Sequence, residues 1–133
     1  MKANELMIGD WVLFDRNYAE DNPIYTTTDY QPFKIESGED IDLAEETNCI
    51  GDASVYQPIL LTAEILEKNK FRKSKLMGEQ RHFTYFLDSG LELLAIYDAD
   101  FSIVIGQSSW YIKYVHQLQH LLRLCHIEKE IIL

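Results

Sequence analysis

The chain is poor in the residues that mark several special classes of protein. Of its 133 residues only two are cysteines, Cys49 and Cys125, far apart and in no close-spaced motif. That pattern argues against a disulfide-stapled scaffold or a cysteine zinc site, and leaves reduced thiols in a cytosolic core as the expectation. No apolar stretch approaches the roughly 18 residues that a membrane-spanning helix needs, and the opening MKANEL starts no signal-peptide hydrophobic region, so no membrane contact and a cytoplasmic location are expected. Basic residues are scarce too: 12 against 22 acidic ones, for a net charge of −10. A field of that sign repels nucleic acid over most of a surface. There is no glycine-rich phosphate loop, no Gly-x-Ser-x-Gly and no spaced Cys/His nucleophile pair, so the sequence names no catalytic residue, metal or cofactor.

Large apolar side chains, by contrast, are plentiful. Eight Tyr, six Phe and two Trp in a 47% hydrophobic chain exclude a segment that stays unfolded. The length suits one compact domain over 1–133, with sub-structure between a β-rich acidic half, 1–58, and a helix–meander–helix half, 59–133. Residues 1–67 hold 15 acidic side chains against Lys2, Arg16 and Lys34, whereas residues 68–133 hold 9 basic and 7 acidic. The densest acid, Glu36 to Glu46, contains Ser37 and Gly38 and reads as strand ends and loop, with a short strand at Ile41–Ala44.

Along the chain, the Gly9-Asp10 turn leads into the aromatic and β-branched run Trp11–Phe14, a first strand. Residues 24–30 and 32–36 are further short strands, and the Pro58-containing segment 55–61 belongs at a sheet edge or in a connector. Thr62 caps a short helix that carries Ile65 and Leu66, with Phe71 beyond it. Residues 82–87, 91–97 and 101–105, separated by the turns Asp88-Ser89-Gly90 and Asp98-Ala99-Asp100, form a three-stranded antiparallel meander. On a helical wheel Tyr111, Tyr114, Val115, Leu121, Leu122 and Cys125 fall within about 60° of Leu118, which predicts a long amphipathic helix from Ser109 to about His126. Residues 128–133 add a final short strand.

The candidate binding surface is the opposite side of that helix. Lys113, His116, His120 and Arg123 span about 80° of the wheel and make a basic ridge suited to an acidic partner or a phosphate backbone. His116 and His120 have the i, i+4 spacing with which two imidazoles share a metal ion, but Gln117 stands where a zincin-type site needs a glutamate, and no third ligand is fixed. Lys68, Lys70, Arg72, Lys73 and Lys75 form a second basic run, with Phe71 either in the core or available for stacking. Asp40-x-Asp42 and Asp98-x-Asp100 lack the glycine and distal glutamate of a calcium loop.

Three stretches, MKANELMIGDWV (1–12), PILLTAEILEKNKF (58–71) and IKYVHQLQHLL (112–122), together resemble a family of small uncharacterised Bacteroidetes proteins often found in phage-like or other mobile regions of the genome. Tyr114-Val115-His116-x-Leu118-Gln119 is the most specific part. That family has no established activity, so the resemblance implies a setting. Its pattern often has Gly where Lys70 stands, as a helix C-cap, and Asn where His120 stands. Leu6-x-Ile8-Gly9-Asp10-Trp11-Val12 also looks like the first strand of SH3-like small barrels.

The expectation is therefore an α+β fold: an N-terminal small SH3-like β-barrel or curled sheet, a short helix, a three-stranded meander and a long C-terminal amphipathic helix. The expected function is a non-enzymatic interaction module of a mobile element that binds a protein partner. The alternatives are a nucleic-acid-associated accessory or regulatory protein working through the basic ridge, and an acidic mimic of DNA.

Overall fold

The computed structural model describes residues 5–16, 29–48, 55–74, 82–88, 90–96, 100–105 and 108–133. The chain is mixed α+β and divides into two compact units, Met1–Ile59 and Leu60–Leu133.

In the first unit β1 (Trp11–Asp15) is the central strand of a three-stranded antiparallel sheet, between β2 (Tyr30–Lys34) and β3 (Tyr56–Pro58). Val12 lies opposite Phe33 and Pro58, and Phe14 opposite Tyr56. The rings of Phe14 and Tyr56 pack 5.1 Å apart and those of Phe14 and Phe33 5.4 Å apart. With Leu6, Val12, Ile35, Ala44 and Val55 they make the core of this unit. The turn into β1 is closed as its sequence requires. Gly9 takes φ 96°, a region open to glycine without steric cost. The buried Asp10 accepts a hydrogen bond from the Met7 amide at 2.8 Å. Pro32 and Pro58 both sit on strands that flank β1, where a missing amide is tolerated.

The acidic stretch departs from expectation. It forms neither loop nor strand but the helix α1 (Gly38–Asn48). Its start is a capping arrangement: Asp40, three residues after Ser37, accepts from the amides of Glu36 and Ser37 at 3.0 and 3.2 Å. Glu39 and Asp40 in the first turn also suit the positive end of the helix dipole. Ile41, Leu43 and Ala44 face the core. Because this stretch is helical, the described strands of the unit form an open sheet with β2 and β3 as edges, and no barrel closes among the described residues. The expected strand at 24–30 lies almost wholly outside the described residues.

The second unit begins with α2 (Ala63–Lys68), capped as expected by Thr62, whose hydroxyl accepts from the Ile65 amide at 3.3 Å. Leu66 and Phe71 are buried. The antiparallel sheet that follows has five strands, in the order β4 (Arg72–Lys73), β5 (His82–Phe86), β6 (Glu92–Ile96), β7 (Asp100–Ile105) and β8 (Ser108–Ile112). Strands β5 to β7 are the expected meander. Gly90 at φ 100° makes the β5–β6 turn, across which Leu87 donates to Leu91 at 2.9 Å. Tyr85, Leu93, Phe101 and Ile103 fill the core, with Tyr85 and Phe101 edge to face at 5.9 Å.

The long C-terminal helix is a second correction. Residues 108–112 pair with β7 as a strand, and the helix α3 runs only from Val115 to Leu124. The run Ser-Ser-Trp-Tyr-Ile is rich in aromatic and β-branched residues that suit a strand, and Gln117 sets the helix start by accepting from the amides of Lys113 and Tyr114 at 2.8 and 3.0 Å. Tyr111 therefore leaves the apolar stripe and is 72% exposed, and Cys125, at the cap, is exposed as well. Val115, Leu118, Leu121 and Leu122 remain the buried face.

Both α2 and α3 end in the same way. Lys70 donates to Glu67 and Phe71 to Leu66; His126 donates to Arg123 and Ile127 to Leu122. These are paired Schellman closures, whose C′ residue must take a left-handed backbone. Lys70 does so at φ 70° and His126 at φ 55°. The expected last strand, 128–133, is irregular instead. It is held by a side chain: the buried Asn69 amide donates to the Ile132 carbonyl and accepts from the Ile132 amide, both at 2.7 Å.

Candidate functional site

The structure rearranges the basic ridge. Lys113 lies before α3, at the β8–α3 junction, with its ammonium 5.4 Å above the ring of Tyr114. His116 is only 1% exposed, so it is not on a solvated helix face. Its ring stacks on Tyr114 at 5.7 Å, nearly parallel at 10°, and meets His120 edge-on at 5.8 Å. Lys113, Tyr114, His116 and His120 thus form one run of contacts, with the buried His116 imidazole between the Tyr114 ring and the half-buried His120. Arg123 is exposed in the last turn of α3. The wheel misplaced Lys113 because it extended helical phase through a residue where the chain is still extended, and no helical phase announces the burial of His116. Gln117, read as an interruption of a metal motif, is the residue that caps the helix.

The second basic run is dispersed as well. Arg72 pairs with Asp88, on the exposed outer strand β4. Phe71 is in the core at 3% exposure, and Lys75 lies outside the described residues. Of the Asp-x-Asp pairs, Asp40 caps α1 and Asp100 opens β7, while Asp98 is outside the described residues. Among the described residues no three His, Cys, Asp or Glu side chains gather in a way that could hold a metal ion, and no helix is long and apolar enough to cross a membrane.

One ionisable group stands out. Burial and the neighbouring Asp40 carboxylate, to which it donates a hydrogen bond, push the Tyr56 hydroxyl up to about 12. It is an interior strut of the first unit and offers no acid or base near neutrality.

The surface that sequence reasoning missed is β8. Four of its five residues are exposed, with Trp110 at 50% and Tyr111 at 72%. Beside it lies a groove of about 460 Å³, lined by Leu60, Thr62, Asp100, Phe101, Tyr111 and Lys113. Leu60 is itself 55% exposed and bridges Tyr114 in antiparallel fashion. The signal present in the sequence was composition, the aromatic and β-branched run Trp110-Tyr111-Ile112, since Ser-Ser-Trp-Tyr-Ile shows no polar–apolar alternation. What the arrangement offers chemically is an apolar, aromatic sheet edge with main-chain hydrogen-bonding groups, flanked by one cation and one carboxylate.

No protein-family model, curated protein or solved structure matches the chain.

Proposed function

We propose that the chain is a non-enzymatic protein-binding module that works through the exposed aromatic strand β8, in the mobile-element setting implied by the resemblance of its three sequence stretches. The exposure of Trp110 and Tyr111 on the two faces of an outer strand, with Tyr111 lining an apolar groove, carries this reading. Aromatic side chains bring large contact area at low entropic cost and dominate the binding energy of protein interfaces. Large apolar side chains left exposed beside a groove mark an interaction surface more often than they serve folding. Lys113 and Asp100 at the margin of the groove supply the polar rim that fixes orientation.

The experiment is retention of partner on the immobilised chain, with and without nuclease, compared with a Trp110→Ser, Tyr111→Ser double variant. A protein partner that survives nuclease and is lost from the double variant supports the reading. Retention that depends on nucleic acid, or that is indifferent to the two substitutions, refutes it.

A further inference from the structure

We infer that the outer edge of β8 pairs with the β8 of a second copy of this chain, so that two five-stranded sheets join across a twofold axis at Trp110. The inference rests on the binding role just proposed for β8 and names its partner.

The direction of the main-chain groups follows from one hydrogen bond. Leu61 donates its amide to the Lys113 carbonyl at 2.9 Å, so that carbonyl points away from β7. Main-chain groups alternate sides along a strand, which places the amides and carbonyls of Ser109 and Tyr111 on the same outer edge. Among the described residues no strand lies beyond β8. Leu60 and Leu61 already occupy the edge at Lys113 and Tyr114, and the chain then turns into α2, so that no described residue pairs with the outer edge of Ser108–Ile112.

That open stretch is centred on Trp110. An antiparallel twofold pairing about Trp110 sets Ser109 of one copy opposite Tyr111 of the other, and the two such pairs exchange four main-chain hydrogen bonds. It also puts Trp110 opposite Trp110 in the close, non-bonded position, about 4.5 Å between Cα atoms, where aromatic pairs gain most. A self-complementary patch of this kind is what a twofold dimer needs.

Two features favour a second copy as the occupant. The strand Ser-Ser-Trp-Tyr-Ile has no charge, proline or glycine, so it carries none of the usual guards against edge pairing and meets no like charge when placed against itself. The net charge of the chain also lies elsewhere in the sequence. Residues 1–59 hold 13 acidic against 3 basic side chains, whereas residues 60–133 hold nine of each, so β8 belongs to a unit without net charge.

Sedimentation of the full chain across the micromolar range tests this, using Trp110→Glu and Trp110→Lys. Wild type is expected at twice the 15.6 kDa chain mass. Each variant places like charges opposite each other, which weakens self-association by about 100-fold or more. An equimolar mixture of the two, with opposite charges facing, restores the dimer. A monomeric wild type overturns the inference, as do variants that stay dimeric alone or that fail to pair when mixed. Should either charged variant not fold by circular dichroism, Tyr111→Pro serves, with Tyr111→Ala as its control for the lost ring: on the main chain it removes an outward amide that β7 does not use. It should be monomeric, and a dimeric Tyr111→Pro overturns the inference. A monomeric wild type that still loses its partner in the double serine variant leaves the binding-module reading intact and removes only the second copy.

Discussion

The Tyr56 hydroxyl donates to the same Asp40 carboxylate that caps α1, so one acidic side chain ties a helix start to an edge strand. Below about pH 10 a free tyrosine and Tyr56 both keep their proton, and the stabilisation is fully present. As pH rises from 10 toward about 12, the unfolded chain loses this proton while the folded chain holds it, so stability falls across that window. The loss should approach about 2–3 kcal/mol by the top of the window. Denaturant titration at stepped alkaline pH is expected to show this fall, and Tyr56→Phe should remove it while costing about 1–2 kcal/mol at neutral pH. A variant whose alkaline profile matches wild type would refute the assignment.

Asn69 replaces a strand. Its amide makes three bonds, to Ile65 and to both main-chain groups of Ile132, and it is 2% exposed. Asn69→Ala leaves those groups without partners in a closed environment. The expected destabilisation is about 2–4 kcal/mol, with the 127–133 segment losing amide-exchange protection before the rest of the unit. Asn69→Asp keeps an acceptor for the Ile132 amide but no donor for the carbonyls, and should not rescue. Uniform loss of protection would show that the segment is not held at this point.

Lys70 and His126 carry side chains where the Schellman closure wants none. Lys70→Gly and His126→Gly relieve the left-handed backbone at both C′ positions, and each should stabilise by about 0.5–1 kcal/mol, read as a higher unfolding midpoint. Both side chains are exposed, so little packing is lost. Destabilisation of either variant would mean that its side chain is held by contacts that outweigh the strain.

What the sequence could show depended on how local the deciding interaction is. The Thr62 cap, the Gly9 turn, the β5–β7 meander and the end of α3 all rest on neighbouring residues and were read directly. Helix α1 was also within reach: Ser37-x-x-Asp40 is a capping pattern, but Ser37 and Gly38 among dense acid read as loop. The strand β8 was lost because Tyr111 falls in helical phase with Tyr114 and Val115 by chance, and only pairing with β7 decides between the two. Burial of His116 and the Asn69–Ile132 pairing are long-range, and no local pattern announces them. The candidate site followed the same rule: a ridge drawn on a helix could not survive the discovery that the helix starts two residues after Lys113.

Helix α3 depends on Gln117 at its start. Gln117→Ala removes the acceptor for the Lys113 and Tyr114 amides, and should cost about 1 kcal/mol. Gln117→Glu restores an acceptor and adds a favourable charge to the first turn, so it should equal or exceed wild type. Thermal melts of the three proteins decide it, and an alanine variant as stable as wild type would place the helix start elsewhere.

The ridge reading makes its own prediction about nucleic acid, and the geometry turns it into a negative one. Lys113 and Arg123 stand at opposite ends of α3, and His116 between them is sequestered against Tyr114. Two separated cations touch at most about two phosphates, and each phosphate contact adds only about 0.9 to the salt slope of binding. On a chain of net charge −10 that attraction is outweighed at physiological ionic strength. Duplex and single-stranded DNA should therefore show no saturable binding by anisotropy, and Lys113→Glu with Arg123→Glu should change nothing. Saturable binding whose salt slope drops by about two in that double variant would reinstate the ridge as a phosphate contact.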